Sequence, residues 1–463
     1  MKVSSPIETV SFSLESLRAG YENGQFSVAD IVNEVFRRIK ERGDDGVWTY
    51  LPDISTVLER AHSVMELDLE TLPLYGVPFC VKDNIHVEGM PTSASCPSIA
   101  FLPEGTASAV KRLEDAGAIL IGKNTMDQFA TGLVGVRSPE HPVNLFDSDY
   151  IPGGSSSGSA VAVAAGLVSF SLGSDTGGSG RIPAALNNIV GLKPTPRILS
   201  THGMIYANRS FDCLPIFALT CNDAKAVFEQ ALVNDCSDPF LGDSQLLHDV
   251  ESKSLSGLVV GIPAPQFLEF FGDKQAQAGF ENAMARMQRL GAELVDVDYA
   301  PFIEAGKMLF DGPLLAERLA SIEPFLDADV NDNVRAIVEG AKHYSAVDLC
   351  KEYYRITELQ AVIKQLYTEI DIMMVPTAPT IYPIAAVKAD PITLNTNMGY
   401  YTYFVNILNL SAIAVPSEIR PDGLPFGVCF VGRPQSDFAL MSLGQQWQQS
   451  SDLYVGHSVG RVT

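Results

Sequence analysis

The chain has 463 residues, 46% apolar and 19% charged, which is enough apolar material for a sizeable buried core and excludes a disordered chain. Its 55 acidic and 32 basic side chains leave a net charge of −23, and that field argues against binding nucleic acid or a membrane surface. A small anionic substrate stays open, because one arginine in a closed pocket outweighs distant, screened surface charge.

In chain order, the first signal is helical. Ser27 and Asp30 fit a capping box, Val28, Ile31, Val32, Val35 and Ile39 follow at helical spacing, and Gly43 beyond Lys40 and Arg42 is a stop signal. From Tyr75 to about Thr220 short apolar runs alternate with helical stretches and Gly- and Ser-rich turns. Residues 76–81 lead into Lys82-Asp83-Asn84, 109–116 form a helix, 118–121 a buried strand, and 167–172 lead into a Gly-rich turn. Strands at 258–262, 292–297, 372–375 and 424–431 and an amphipathic helix at 275–290 repeat the theme. The alternation predicts an α/β fold with a mixed or mostly parallel sheet. Even the most polar stretch, 241–257, is too short for a linker, so one large domain over 1–463 is expected, with a helical segment 1–70 packed on it.

The cysteines (Cys80, Cys96, Cys213, Cys221, Cys236, Cys350 and Cys429) are scattered, odd in number and lack any Cys-x-x-Cys pair. They read as reduced thiols, with no disulfide framework and no zinc site, and no cofactor is expected. No apolar signal-peptide core and no membrane-length apolar run occurs, which predicts a cytoplasmic protein.

Chemistry concentrates in two Gly-rich turns. Pro152-Gly153-Gly154-Ser155-Ser156-Ser157-Gly158 presents hydroxyls on a backbone that can turn sharply, and Ser179 lies in a second such turn after a predicted buried strand. A serine needs a base to take its proton. None of the seven histidines sits in a recognisable motif. Lys82, flanked by Phe79, Cys80 and Val81, can serve instead if burial holds it neutral. Two motifs are decoys. Gly154-Ser155-Ser156-Ser157-Gly158 matches a nucleophile elbow centred on Ser156 but follows no convincing strand. Residues 117–124 nearly match a P-loop, but Asn124 replaces its Ser/Thr.

Four motifs taken in order resemble the amidase signature family: Gly76-Val77-Pro78-Phe79-Cys80-Val81-Lys82-Asp83-Asn84, the Ser155 turn, Gly173-Ser174-Asp175-Thr176-Gly177-Gly178-Ser179-Gly180-Arg181, and Gly191-Leu192-Lys193-Pro194-Thr195. The resemblance implies that family's fold, a large mixed central sheet covered by helices on both faces. It also implies Ser179 as nucleophile, Ser155 (in a cis peptide) as proton relay, Lys82 as general base, and an oxyanion hole of backbone N–H groups around Thr176, Gly177 and Gly178. Asp175, Arg181 and Lys193 are read as braces of the loop.

Within the family the likeness is nearest to the allophanate hydrolases. It extends through Asp127-Gln128-Phe129-Ala130-Thr131-Gly132, Pro376-Thr377-Ala378-Pro379 and Gly312-Pro313-Leu314-Leu315-Ala316-Glu317-Arg318. It implies that Arg318 grips a substrate carboxylate, with Phe310, Gly132 and Ser156 also lining the substrate. Phe310 stands where those enzymes usually place a Tyr, and the loop 140–144 is one residue shorter, so an amidase of a different, more apolar amide is the alternative. A C-terminal decarboxylating domain, which many members carry, is not expected in this chain. The expected activity is cleavage of a C–N bond in a small carboxylate-bearing amide or ureide, allophanate first, within urea degradation and in a homodimer. An amidotransferase component is the other class.

Overall fold

The computed structural model describes residues 7, 9–232, 235–242 and 253–457, so part of the polar stretch 241–257 lies outside the described residues. Near the start, Ser27 caps the helix Val28–Arg42: its hydroxyl accepts the Asp30 N–H while the Asp30 carboxylate accepts the Ser27 N–H. Gly43 ends it at φ 76°, a conformation open to glycine. Val28, Ile31, Val32, Val35 and Ile39 are buried against Ile119, Ile121 and the apolar helix Ser157–Ala164.

Among the described residues, eleven strands form a single sheet. In chain order they are β1 (Trp48–Tyr50), β2 (Pro78–Lys82), β3 (Ile119–Asn124), β4 (Phe170–Leu172), β5 (Val190–Lys193), β6 (Ile216–Ala218), β7 (Val259–Pro263), β8 (Glu293–Val297), β9 (Ile372–Pro376), β10 (Ser411–Ile419) and β11 (Pro425–Gly432). The spatial order is β1-β3-β2-β4-β6-β5-β10-β11-β9-β7-β8. β2 is parallel to both β3 and β4, and β7 to both β8 and β9, whereas β4, β6, β5, β10, β11 and β9 pair antiparallel in turn. The sheet is therefore mixed, as the alternation predicted.

Side-chain alternation along the strands builds a core on each face. Phe79, Val81, Leu120, Val428 and Phe430 point into one. Cys80, Ile119 and Ile121 point into a second core under the N-terminal helices, and Cys429, Val431 and Val375 into a third. Helices thus cover both faces, as expected. Sequence periodicity missed β1, β5, β6 and β10. Three of these run for only three or four residues, and β10 contains Pro416, which reads as a strand breaker. A register shift between Pro416 and Glu418 accommodates the proline inside the β10–β11 ladder.

Phe79 is fully buried and its ring stacks on Phe170 with centroids 4.9 Å apart, so it locks β2 to β4. Phe79→Ala is expected to cost about 3–5 kcal/mol of stability, read as a lower denaturant midpoint at unchanged slope. A loss below about 1 kcal/mol would contradict this packing.

Candidate active site

The parallel register of β2 with β4 sets Val81 against Leu172. Lys82, the last residue of β2, therefore lies beside the turn that follows β4, at Gly173-Ser174. The Ser155 turn arrives from the other side, just before the helix Ser157–Ala164, and the Ser155 carbonyl accepts the Asp127 N–H at 3.0 Å. The Gly154–Ser155 peptide bond is cis. These placements bring the three residues into one hydrogen-bonded row. Lys82 Nζ is 2.7 Å from Ser155 Oγ, and Ser155 Oγ is 2.8 Å from Ser179 Oγ.

Lys82 is wholly buried, and burial pulls its pKa down to about 7; the charges of Asp127, Asp175 and Asp212 resist that fall without reversing it. Its amine also donates to Ser174 Oγ at 2.8 Å and to the Ser174 carbonyl at 3.3 Å. A neutral amine has two N–H groups and one lone pair. When Ser174 takes both N–H groups of the neutral amine, its lone pair is left for the Ser155 hydroxyl, and the row can then pass a proton from Ser179 through Ser155 to Lys82. Ser174 was not singled out from sequence, although it stands inside the motif already quoted.

Asp175 organises the turn around Ser179. Its carboxylate accepts the N–H groups of Gly178 and Gly180, at 2.9 and 2.8 Å, and both Nε and Nη2 of Arg181. Burial works against that carboxylate, but the Arg181 guanidinium outweighs it and holds Asp175 below its usual range. The bracing expected of Asp175 and Arg181 is thus visible. Lys193 bonds to the Pro194 carbonyl at 2.7 Å. One expectation needs correction: the Gly178 N–H, taken by Asp175, is not free to hold an oxyanion. Among the described residues the N–H groups of Thr176, Gly177 and Ser179 have no protein acceptor. Gly178 keeps its place for another reason. It has φ 143°, and a Cβ there would lie 2.4 Å from Thr402 Oγ1.

Arg318, on the helix Leu315–Ile322, is completely buried. Its Nη1 donates to Thr131 Oγ1 at 2.8 Å and to the Ala130 carbonyl at 3.4 Å. Its Nε and Nη2, which share the other edge of the guanidinium, are buried and have no partner among the described residues. Burial lowers the Arg318 pKa to about 10, which leaves the group charged at neutral pH. The Phe310 ring lies 5.0 Å from the guanidinium carbon and packs on Tyr403 at 4.9 Å. Leu309 and Tyr403 in turn press on Gly177, where a Cβ would come within 2.4 and 2.9 Å of them. A continuous wall therefore runs from the Ser179 turn to Arg318.

Of the other expected lining residues, Ser156 donates its hydroxyl to the Ser174 carbonyl at 3.2 Å. At Gly132 a Cβ would lie 2.5 Å from the Asp127 carboxylate and 3.1 Å from Arg137 Cδ. Lys123 of the P-loop-like stretch lies in β3 and bonds to Pro91 and Thr92, with Asp83 at 3.4 Å. Sequence reading missed Arg137, Tyr403 and Asp212, which no local motif marks. No cluster of His, Cys, Asp and Glu placed to hold a metal occurs among the described residues. No described helix is long and apolar enough to cross a membrane.

Comparison with known proteins gives the family of the chain. The sequence model of the family described as Amidase matches residues 30–441. The chain belongs to the amidase family. This amidase is 40% identical over 387 residues to the urea amidolyase of Saccharomyces cerevisiae, which covers 82% of this chain but 21% of that protein. It thus spans about a fifth of the length of the curated relatives it first matches. It is also 32% identical over 452 residues to one component of the glutamyl-tRNA(Gln) amidotransferase of Exiguobacterium sibiricum, covering 91% of this chain and 93% of that one. Among solved structures, Kluyveromyces lactis allophanate hydrolase superposes with a TM-score of 0.91 at 34% identity, covering 98% of this chain and 76% of that one.

The Arg181–Asp175 pair is fully buried, so removing one partner strands the other charge. Arg181→Met is expected to lose about 3–5 kcal/mol of stability in chemical denaturation. A variant as stable as the parent would show that the pair does not brace the turn.

Proposed function

We propose that this amidase hydrolyses the C–N bond of a small carboxylate-bearing amide or ureide, with allophanate the leading substrate, as one step of urea degradation. One observation carries the reading: Arg318 presents two buried, unpartnered nitrogens on one edge, at the far end of the wall that begins at Ser179. A buried donor left unpaired costs about 1–3 kcal/mol, more when charged, so this edge calls for an acceptor. A carboxylate fits it with two parallel bonds. The likeness to urea amidolyase and allophanate hydrolase supports the same substrate.

The chemistry follows from the row of side chains. Ser179 Oγ attacks the amide carbon as its proton moves to Ser155 Oγ and the Ser155 proton moves to neutral Lys82. The oxyanion is held by the N–H groups of Thr176, Gly177 and Ser179, where losing one donor typically costs about 3–4 kcal/mol in the barrier. Lys82 returns the proton through Ser155 to the leaving nitrogen, and ammonia departs from the acyl-enzyme on Ser179. Water, deprotonated through the same relay, then hydrolyses the ester. Phe310, which supplies no hydroxyl beside Arg318, supports the alternative of a more apolar amide.

The near full-length likeness to an amidotransferase component supports a second reading, in which activity needs a partner protein. The chain is read as one domain and as a cytoplasmic homodimer. Free thiols at all of the cysteines, five of them buried, support a reducing compartment.

The test is ammonia release by the purified chain alone from allophanate, malonamate, biuret and simple aliphatic amides. Allophanate or malonamate is expected to be preferred. Ser179→Ala is expected to lower kcat by about 10⁴-fold or more, and Arg318→Gln to raise KM for the carboxylate-bearing substrates about 10- to 100-fold. Preference for uncharged amides would overturn the substrate, and turnover only with a partner protein would favour the second reading.

A further inference from the structure

The Ser179 turn and the Arg318 helix belong to different layers, yet one short segment is hydrogen-bonded to both. Asp212 is buried, and its Oδ1 accepts the Thr176 hydroxyl at 2.5 Å and the Asn208 N–H at 3.2 Å. Its Oδ2 accepts the Ala207 N–H at 2.7 Å. The Asn208 carbonyl accepts the N–H groups of Phe211 and Asp212, both at 2.9 Å, which closes 207–212 into a rigid turn. Beyond it, Asp175 and Cys213 exchange both backbone hydrogen bonds, at 2.9 and 3.1 Å.

The other side of the turn reaches the helix. Asn208 Nδ2 donates to the Leu314 carbonyl at 3.0 Å, immediately before the first residue of Leu315–Ile322. The Ser210 N–H donates to the Glu317 carboxylate at 3.0 Å, next to Arg318 in sequence, and the Tyr353 hydroxyl donates to the other Glu317 oxygen. Asn406 donates to the carbonyls of Asp175 and Phe211, at 2.7 and 3.0 Å, and ties the segment down from behind.

We propose that the Asn208–Asp212 turn is a positioning bridge, which fixes the Thr176 end of the oxyanion turn at a set distance from Arg318. The bridge acts through the two groups it holds, and its consequence is selectivity for substrate length: the carbonyl and the carboxylate must match a spacing set by the turn. The inference rests on the carboxylate-amide reading above and adds to it the element that sets the spacing. An error of about 1 Å in such a placement can cost on the order of 100-fold in rate, so the bridge need not touch the reacting atoms to matter.

Two small deletions test the halves separately. Thr176→Ala removes the hydroxyl that Asp212 holds and keeps the backbone N–H. It is expected to lower kcat about tenfold with little change in KM, to slow labelling of Ser179 by a fluorophosphonate by a similar factor, and to be rescued by Thr176→Ser. Asn208→Ala cuts the tie to Leu314. It is expected to raise KM for malonamate about tenfold, and to add nothing further in the Arg318→Gln background, because both changes remove the same placement. Labelling of Thr176→Ala at the parental rate would overturn the oxyanion half. Additive effects of Asn208→Ala and Arg318→Gln would overturn the helix half. If Arg318→Gln alone leaves KM for malonamate unchanged, the substrate reading is what fails, and fluorophosphonate labelling still decides whether Thr176 is positioned by the bridge.

Discussion

Burying the amine of Lys82 is the constraint on which the rest of the site depends. Taking an ammonium out of water is expensive unless a carboxylate meets it, and the hydrogen-bond partners of Lys82 are all neutral: two hydroxyls and a carbonyl. Three carboxylates lie near enough to pull the amine back toward its charged form. Each is engaged elsewhere: Asp127 by the N–H groups of Gly135 and Arg137, Asp175 by Arg181, and Asp212 by Thr176 and the Ala207 N–H. The fold thus keeps negative charge close without letting it form an ion pair with Lys82, and desolvation decides the protonation state.

Two buried guanidiniums show the same division of labour. Every nitrogen of Arg181 has a partner, in Asp175, the Thr402 carbonyl or Asn406, and those contacts make it a brace. Arg318 is equally buried but, among the described residues, has only one nitrogen satisfied. A protein tolerates such an imbalance where a ligand completes it. The difference between the two arginines lies wholly in their partners, since both are fully withdrawn from solvent.

Much of this was legible in the sequence. The capping box at Ser27, the buried strand around Ile119–Ile121 and the Gly-rich turns after β4 and before Ser157–Ala164 were all local signals, and the structure brings Lys82, Ser155 and Ser179 together from motifs far apart in the chain. What stayed hidden was non-local. β10 was obscured by Pro416, which only a bulge opposite β11 accommodates. Asp212, Arg137 and Tyr403 sit in no motif, and their meaning comes from what the sheet and the helices place beside them. The engagement of the Gly178 N–H could not be foreseen either, because it depends on how the Asp175 carboxylate turns.

The most direct test of a neutral, buried lysine as the base is the pH dependence of kcat/KM. Burial lowers the Lys82 pKa to about 7, and only the neutral amine can accept a proton. Activity is therefore expected to level off above pH of about 7 and to fall about tenfold per pH unit below it. A profile that stays flat down to a pH of about 5 would contradict a lysine base held at that value.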